Sequence, residues 1–358
     1  MTNSIDLLKS LSQTDGIAGH EHYVKALMHD YLSPVSDEIV EDQLGGIYGK
    51  RNATNGSRSL MVTGHLDEVG FIITYIDKNG FIRFTTAGGW WSQVMLSQKV
   101  TITTEDGKKI RGIIGSKPPH VLSQKERNQT VDIKEMFIDI GAKDKAEVEA
   151  LGIEVGNMVT PYSEFETLAN DQYITSKAFD NRYGCALAVD VLNNLKDESI
   201  DINLYSGADV QEEVGLRGAK VAAQTVKPDL ALAIDVAISY DTPGLSGQLS
   251  DTKLGDGPVG IIMDSSNIGH TGLIKQIKKV AKAHNIPVQW DSTIGGGTDA
   301  GSIHVANEGI PTLSLGIALR YMHSNVSVIH TEDYKRSVEL VTEFVKSLND
   351  EVVEKIIW

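Results

Sequence analysis

The sequence predicts an α/β protein: a mainly parallel sheet covered by helices on both faces, with a small all-β domain, barrel or PDZ-like, inserted into it. Three observations lead there. Residues 1–69 and 164–358 alternate short apolar runs with stretches of helical spacing, the pattern of buried strands joined by crossover helices. Residues 70–163 carry short strand-like runs joined by turns, with a single helical interruption. The length, 358 residues, provides material for two domains rather than one.

Each element has its own justification. From residue 5 to about 32 the apolar positions recur at helical spacing, broken by Gly16 and Gly19. SLMVTG (59–64) reads as a buried strand that runs directly into HLDEVG. The β unit then offers FIITYID, FIRFTT, KVTITTEDGKKIRGIIG and NMVTPY as strands, KNG and EDGK as turns, and DKAEVEALG (144–152) as its one helix. Alternation resumes with a helix over 180–195, a strand at INLYSGA (202–208), a helix near 215–224 and a strand at DLALAID (229–235). VGIIMD (259–264), a helix through TGLIKQIKKVAKAHN, the strand IPVQW, a helix after GGGTDAGSIH, the strand IPTLSLG (310–316) and a helix from about Glu332 complete the series.

Composition narrows the function classes. Apolar residues make up 41% and charged residues 23%, so a sizeable core is available. No apolar run approaches the ~18 residues needed to span a bilayer, and MTNSIDLLKSLSQTDG has no secretory-signal pattern. One cysteine, Cys185, excludes an intramolecular disulfide and fits a reducing compartment, so a cytoplasmic location is expected. The 48 Asp and Glu exceed the 33 Lys and Arg, giving a formal charge of −15. That balance argues against a nucleic-acid partner and suits a protein that gathers metal cations.

Metal-ligating residue types cluster where strands end. His65 and Asp67 follow SLMVTG, Glu212 and Glu213 follow INLYSGADVQ, Asp235 closes DLALAID, and His323 follows IPTLSLG; Asp180 opens a helix in KAFDNRYG. In open α/β sheets, ligands bind beyond the carboxyl ends of the strands. Singly, most of these residues have ordinary explanations. Asp180 could be a helix N-cap, His65 and Asp67 a turn pair, and His323 a buried histidine with a partner. Asp235 differs, because an unpaired charge ending an apolar run is costly to bury, and adjacent Glu212 and Glu213 repel unless a cation compensates. The joint pattern carries the inference.

The order and spacing of GHLDEVG (64–70), SKAFDNRYGC (176–185), QEEVGLRGA (211–219), AIDV (233–236), GGGTDAG (295–301) and RYMHS (320–324) resemble the M42 family of metallo-aminopeptidases, the tetrahedral or deblocking aminopeptidases. The resemblance spans the full chain, including the β insert and its KPPH (117–120) loop. It implies a zinc-exopeptidase-like catalytic domain from residues 1–69 and 164–358, and a dimerisation domain from residues 70–163. It also implies two divalent ions, zinc or cobalt. His65, Asp180 and Asp235 would hold one, and Asp180, Glu213 and His323 the other, with Asp180 bridging. Glu212 would be the general base and Asp67 the partner that orients His65. The donor types agree: His nitrogen and carboxylate oxygen suit zinc or cobalt, and no cysteine is among them. Short peptides are the implied substrates, and a dodecamer built from dimers the implied assembly.

Other readings fare worse. A glycosidase needs two carboxylates flanking a bond at about 5–9.5 Å but has no need of metal ligands. A non-catalytic assembly protein that keeps the site is the other rival. GGGTDAG lacks both the GxxxxGK[ST] form and the GxGxxG context of nucleotide loops, so its backbone is expected to line a substrate cleft. Trp90 and Trp91 are expected in a core or subunit contact, and Cys185 as a buried small residue. Arg320, beside His323, would attract an acidic substrate side chain unless a neighbouring carboxylate neutralises it. Acidic or broad neutral specificity is therefore expected.

Overall fold

The computed structural model describes residues 4–245, 249–293 and 295–358. Its frame is an eight-stranded sheet, in the spatial order Glu38–Glu41, Ile47–Arg51, Asn203–Asp209, Ser59–His65, Leu230–Ile238, Thr312–Leu319, Val259–Met263 and Gln289–Ser292. The four central strands, Asn203–Asp209 to Thr312–Leu319, run parallel. An antiparallel hairpin borders them on one side. On the other, Val259–Met263 runs antiparallel to Thr312–Leu319 and parallel to Gln289–Ser292. The sheet is thus mixed at its margins and parallel at its centre.

Alternation along the central strands explains how the sheet is held. Leu60, Val62, Leu230, Leu232 and Ile234 enter the main core with the helix Phe179–Leu195. Their neighbours Met61, Ala231 and Ala233 join a second core with Ala219, Ala222, Ala223 and Ile303. The second core is lined mainly by alanine, and small side chains permit close approach there. The helix Phe179–Leu195 is buried almost all round, which fits its weak amphipathicity and places Cys185 in the core as expected.

The expected β insert is a closed barrel of Gly70–Ile76, Ile82–Ala87, Phe137–Asp139, Lys109–Gly115, Lys99–Thr103 and Met158–Pro161. Its own core holds Phe71, Ile73, Phe84, Ile102 and Ile138. The KNG and EDGK turns place Gly80 and Gly107 at φ of 85° and 81°, a region glycine enters without strain. The anticipated helix is Lys145–Ala150, N-capped by Asp144. Trp90 stacks on Phe71 at 4.7 Å between ring centroids, while Trp91 is 61% exposed.

A buried charge cluster joins the barrel to the large sheet's surroundings. Asp15 accepts from Lys109 Nζ at 2.6 Å and Thr160 Oγ1 at 2.8 Å, both in the barrel, and pairs with Lys177 at 3.1 Å. Lys177 also donates to Glu68 at 2.5 Å. Burial opposes the Asp15 charge, yet Lys177 and Lys109 hold its carboxyl well below the usual range. Breaking such a buried pair by removing one partner costs about 3–5 kcal/mol.

Some elements differ from expectation. The strand read at IPVQW starts instead at Gln289, because Pro287 has no N–H to contribute to a ladder. The helix expected near 215–224 is Arg217–Val226. The strands Glu166–Thr167, Tyr173–Ser176 and Ser327–His330 form a small third sheet that the sequence pattern did not reveal. Among the described residues, no helix is long and apolar enough to cross a membrane.

Candidate metal centre

The parallel strands deliver the chemistry to one edge of the sheet. His65 ends Ser59–His65 and lies in register with Asp209, the last residue of the adjacent strand. Two residues past Asp209 the chain turns through Gln211 to Glu212 and Glu213. Asp235 lies in Leu230–Ile238, two residues beyond the Ala233–Thr63 pair. His323 follows Thr312–Leu319, and Asp180 sits at the start of the long helix. The seven residues expected at the site therefore come from five separate segments and converge.

Their distances are specific. His65 Nε2 lies 3.4 Å from one carboxylate oxygen of Asp180 and 3.8 Å from Glu212 Oε2. The other Asp180 oxygen lies 3.4 Å from His323 Nε2, and Glu213 Oε2 also lies 3.4 Å from that nitrogen. Two overlapping groups present ligand atoms within 4.8 Å of one another: His65, Asp180 and Glu213, and His65, Glu212 and Asp235. The second group includes Glu212, expected as a base, though it stands farther from His65 Nε2 than Asp180 does.

Asp67 does more than face the imidazole. Its backbone carbonyl is 3.0 Å from His65 Nδ1, closer than its carboxylate at 3.5 Å. That contact leaves Nε2 free to face Asp180. The Asp67 carboxylate instead accepts the backbone N–H groups of Glu212 (3.0 Å) and Glu213 (3.1 Å). One buried side chain thus fixes the turn that carries both glutamates.

Arg182 braces the same loop from below. Its fully buried guanidinium donates to the carbonyls of Leu66, Leu11, Thr14 and Gly16. Leu66 lies between His65 and Asp67, so the helix that begins beside Asp180 also secures the His65 loop. Cys185 Sγ contacts the His65 carbonyl at 3.1 Å, and burial pushes its thiol up to about 12, so it is inert.

The electrostatics call for cations. Burial drives Glu213 well above the carboxylate range, and the nearby Asp180 charge adds to it. Burial does the same to Asp235, pushed up to about 7 with Asp180 again contributing. Asp180 goes the other way: burial opposes its charge, but hydrogen bonds with His323 and His65 depress it. Burial disfavours charging His323, yet Asp180 and Glu213 raise it to about 9. Glu213 Oε1 is buried without a hydrogen-bond partner. Two imidazoles, several crowded carboxylates and an orphaned carboxylate oxygen fit a site for divalent ions and fit an empty polar core poorly.

Sequence reasoning passed over several residues here. Asp209 and Asp299 are buried close to the site, each with a carboxylate oxygen lacking a hydrogen-bond partner, and burial raises both well above the usual range. Asp209 ends an apolar strand as Asp235 does, and that signal was available. The barrel also reaches the site: a Cβ on Gly88, at φ of 90°, would stand 3.2 Å from Glu213 Oε2, and one on Gly89 would stand 3.1 Å from His323 Nδ1. Arg320 is claimed by Asp241 through a bidentate pair at 2.8 and 2.6 Å, which removes the basis for expecting acidic specificity. Gly295, Gly296, Gly297 and Thr298 line the cleft beside the ligands, as expected of that loop.

Known proteins resemble this chain in sequence and in fold. The sequence model of the M42 glutamyl aminopeptidase family matches residues 45–340. A glutamyl aminopeptidase of Lactococcus lactis is 33% identical over 353 residues, 98% of each chain. The crystal structure of a TET aminopeptidase from a marine-sediment Thaumarchaeota archaeon is 40% identical, covers 99% of this chain and 98% of its own, and superposes with a TM-score of 0.95. The TET1 peptidase of Pyrococcus horikoshii, which assembles into a tetrahedron or a large octahedral shell, is 29% identical with a TM-score of 0.86; the match covers 97% of this chain and all of that one. The chain belongs to the M42 family of aminopeptidases, hydrolases of peptide bonds.

Proposed function

We propose that this chain removes the amino-terminal residue of short peptides at a centre of two divalent ions, zinc or cobalt. His65, Asp180 and Asp235 would hold one ion, and Asp180, Glu213 and His323 the other. The observation that carries this reading is the disposition of Asp180, whose two carboxylate oxygens face two different imidazoles at 3.4 Å each. A carboxylate so placed is suited to be shared. When bound, such ions supply Lewis-acid polarisation of the scissile carbonyl and an acidified water.

The chain's own residues supply the proton traffic. Glu212 takes a proton from the attacking water and returns it to the leaving amine nitrogen. Burial raises its proton affinity; His65 opposes that, and Asp299, Asp235 and Asp180 reinforce it. Asp67 keeps the Glu212 and Glu213 side chains on their separate tasks by fixing the backbone between them. The carboxylate-rich cleft favours a free amino group, which confines cleavage to the first peptide bond.

Residues 1–69 and 164–358 form the catalytic domain in this reading, and residues 70–163 the assembly domain. The barrel supplies Gly88 and Gly89 to the rim but no ligand side chain, so catalysis does not account for its size. Dimers made through it, closed into a hollow dodecamer, would admit short peptides and exclude folded proteins, as suits a cytoplasmic exopeptidase. Light scattering should find about twelve chains per particle; a monomer would remove the assembly role.

A paired assay tests the activity. Dialysis against a chelator should abolish hydrolysis of a peptide, and Co²⁺ or Zn²⁺ should restore it, while the acetylated twin stays intact throughout. Full activity without metal, or equal rates on both peptides, would defeat the reading.

A further inference from the structure

The cleft that holds the ligands is a chamber of about 460 Å³ whose lining extends beyond them. Its wall is a direct extension of the ligand-bearing strand. After Asp235, the same strand contributes Val236, Ala237 and Ile238, and Ile261 from the antiparallel strand, Leu216 and Met322 complete an apolar surface. The remaining polar side chains away from the ligands are the hydroxyls of Ser265, Ser266, Thr293 and Thr298, and one carboxylate, Asp264.

Among the described residues lining this chamber there is no Lys or Arg. The nearby guanidinium of Arg320 is held by both oxygens of Asp241. His323 is committed to the metal centre. An acidic substrate side chain entering here would lose its hydration without gaining a cation. It would also approach Asp264, which adds repulsion.

Asp264 does not make the chamber a lysine site. It is buried, and its Oδ1 accepts from Ser266 N (2.7 Å), Ser266 Oγ (2.8 Å) and Asn267 N (2.7 Å). Its Oδ2 accepts from Thr298 Oγ1 at 3.1 Å. Its acceptor positions are occupied in shaping the turn, leaving little for an incoming ammonium. What the chamber offers freely is apolar area.

Building on the aminopeptidase reading, we infer that this chamber receives the side chain of the amino-terminal residue and selects an uncharged aliphatic one. Leucine-like residues are preferred, and glutamate is rejected despite the glutamyl activity named for the family and for the Lactococcus relative. Ile238, on the chamber wall, is a specificity-determining residue.

The experiment compares leucyl-, lysyl- and glutamyl-p-nitroanilide on the metal-loaded full-length enzyme. The expected kcat/KM for leucyl exceeds that for glutamyl by roughly 100-fold, with lysyl between them. Hydrolysis of the glutamyl or lysyl substrate at least as fast as the leucyl one overturns the inference and leaves the aminopeptidase reading intact. If none of the three is cleaved, the aminopeptidase reading falls and this inference with it. Ile238→Arg provides the second arm, with thermal melting to establish that the variant is folded. A guanidinium on that wall should move the glutamyl-to-leucyl ratio toward glutamyl by about tenfold or more. An unchanged ratio in a folded, active variant would remove Ile238 from the specificity pocket.

Discussion

Glu212→Gln lowers kcat by about two to four orders of magnitude while the enzyme keeps close to its full complement of metal. The variant retains the size and hydrogen-bonding ability of the side chain but cannot carry a proton. Glu213→Gln, one residue away, has a different outcome: it loses metal at the site shared with His323. The contrast rests on the turn itself. Asp67 accepts both backbone N–H groups, and the two side chains then part, with Glu213 Oε2 3.4 Å from His323 Nε2 and Glu212 Oε2 3.8 Å from His65 Nε2. Elemental analysis beside steady-state kinetics separates the two roles. Metal loss in Glu212→Gln with retention in Glu213→Gln would reverse them, and the convergence of Glu212, His65 and Asp235 makes that a meaningful test.

Asp180→Ala has the largest expected effect of any single substitution. Its two oxygens face His65 and His323 separately, so its removal takes a donor from each of the proposed ion sites at once. Activity should fall at least about a thousandfold, and metal content should drop at both sites together. His323→Ala, by contrast, should deplete one site first. A variant at position 180 that keeps one tightly held ion and half its activity would show that the carboxylate is not shared.

Much of this architecture was legible in the sequence for a definite reason. Apolar runs such as LMV and LALAI leave no solvent-facing side, so they must lie in a sheet's interior. A His or Asp placed at the end of such a run must then find a buried polar partner. That logic singled out Asp235, and Glu212 with Glu213 by their mutual repulsion, whereas His65 read alone as an ordinary turn residue. Asp180 was weaker, since an acid at a helix start is ordinary, and only the motif around it supported its place. The barrel was legible through turn chemistry, with Gly80 and Gly107 where positive φ is required.

What the sequence hid depends on contacts between distant segments. Asp209 and Asp299 read as strand-end and loop acids until the fold buries them against each other. Arg182 is an unremarked helix residue in the sequence, yet it is fully buried among four carbonyls from other segments. The pairing of Arg320 with Asp241 spans 79 positions and could not be read from neighbours alone. The hairpin of Glu38–Glu41 with Ile47–Arg51 escaped notice because its strands are short and the outer one has no buried residue to mark it. Local pattern identifies buried strands well. It says little about which loops meet above them.

The shared position of Asp180 is the centre of this account, and one measurement addresses it directly. Crystals of the protein reconstituted with Zn²⁺ or Co²⁺ can be measured at the metal's absorption edge to locate every bound ion. The account predicts two anomalous peaks per chain on either side of the Asp180 carboxylate, one also contacting His65 and Asp235, the other Glu213 and His323. A single peak, or two peaks of which only one touches Asp180, would contradict it.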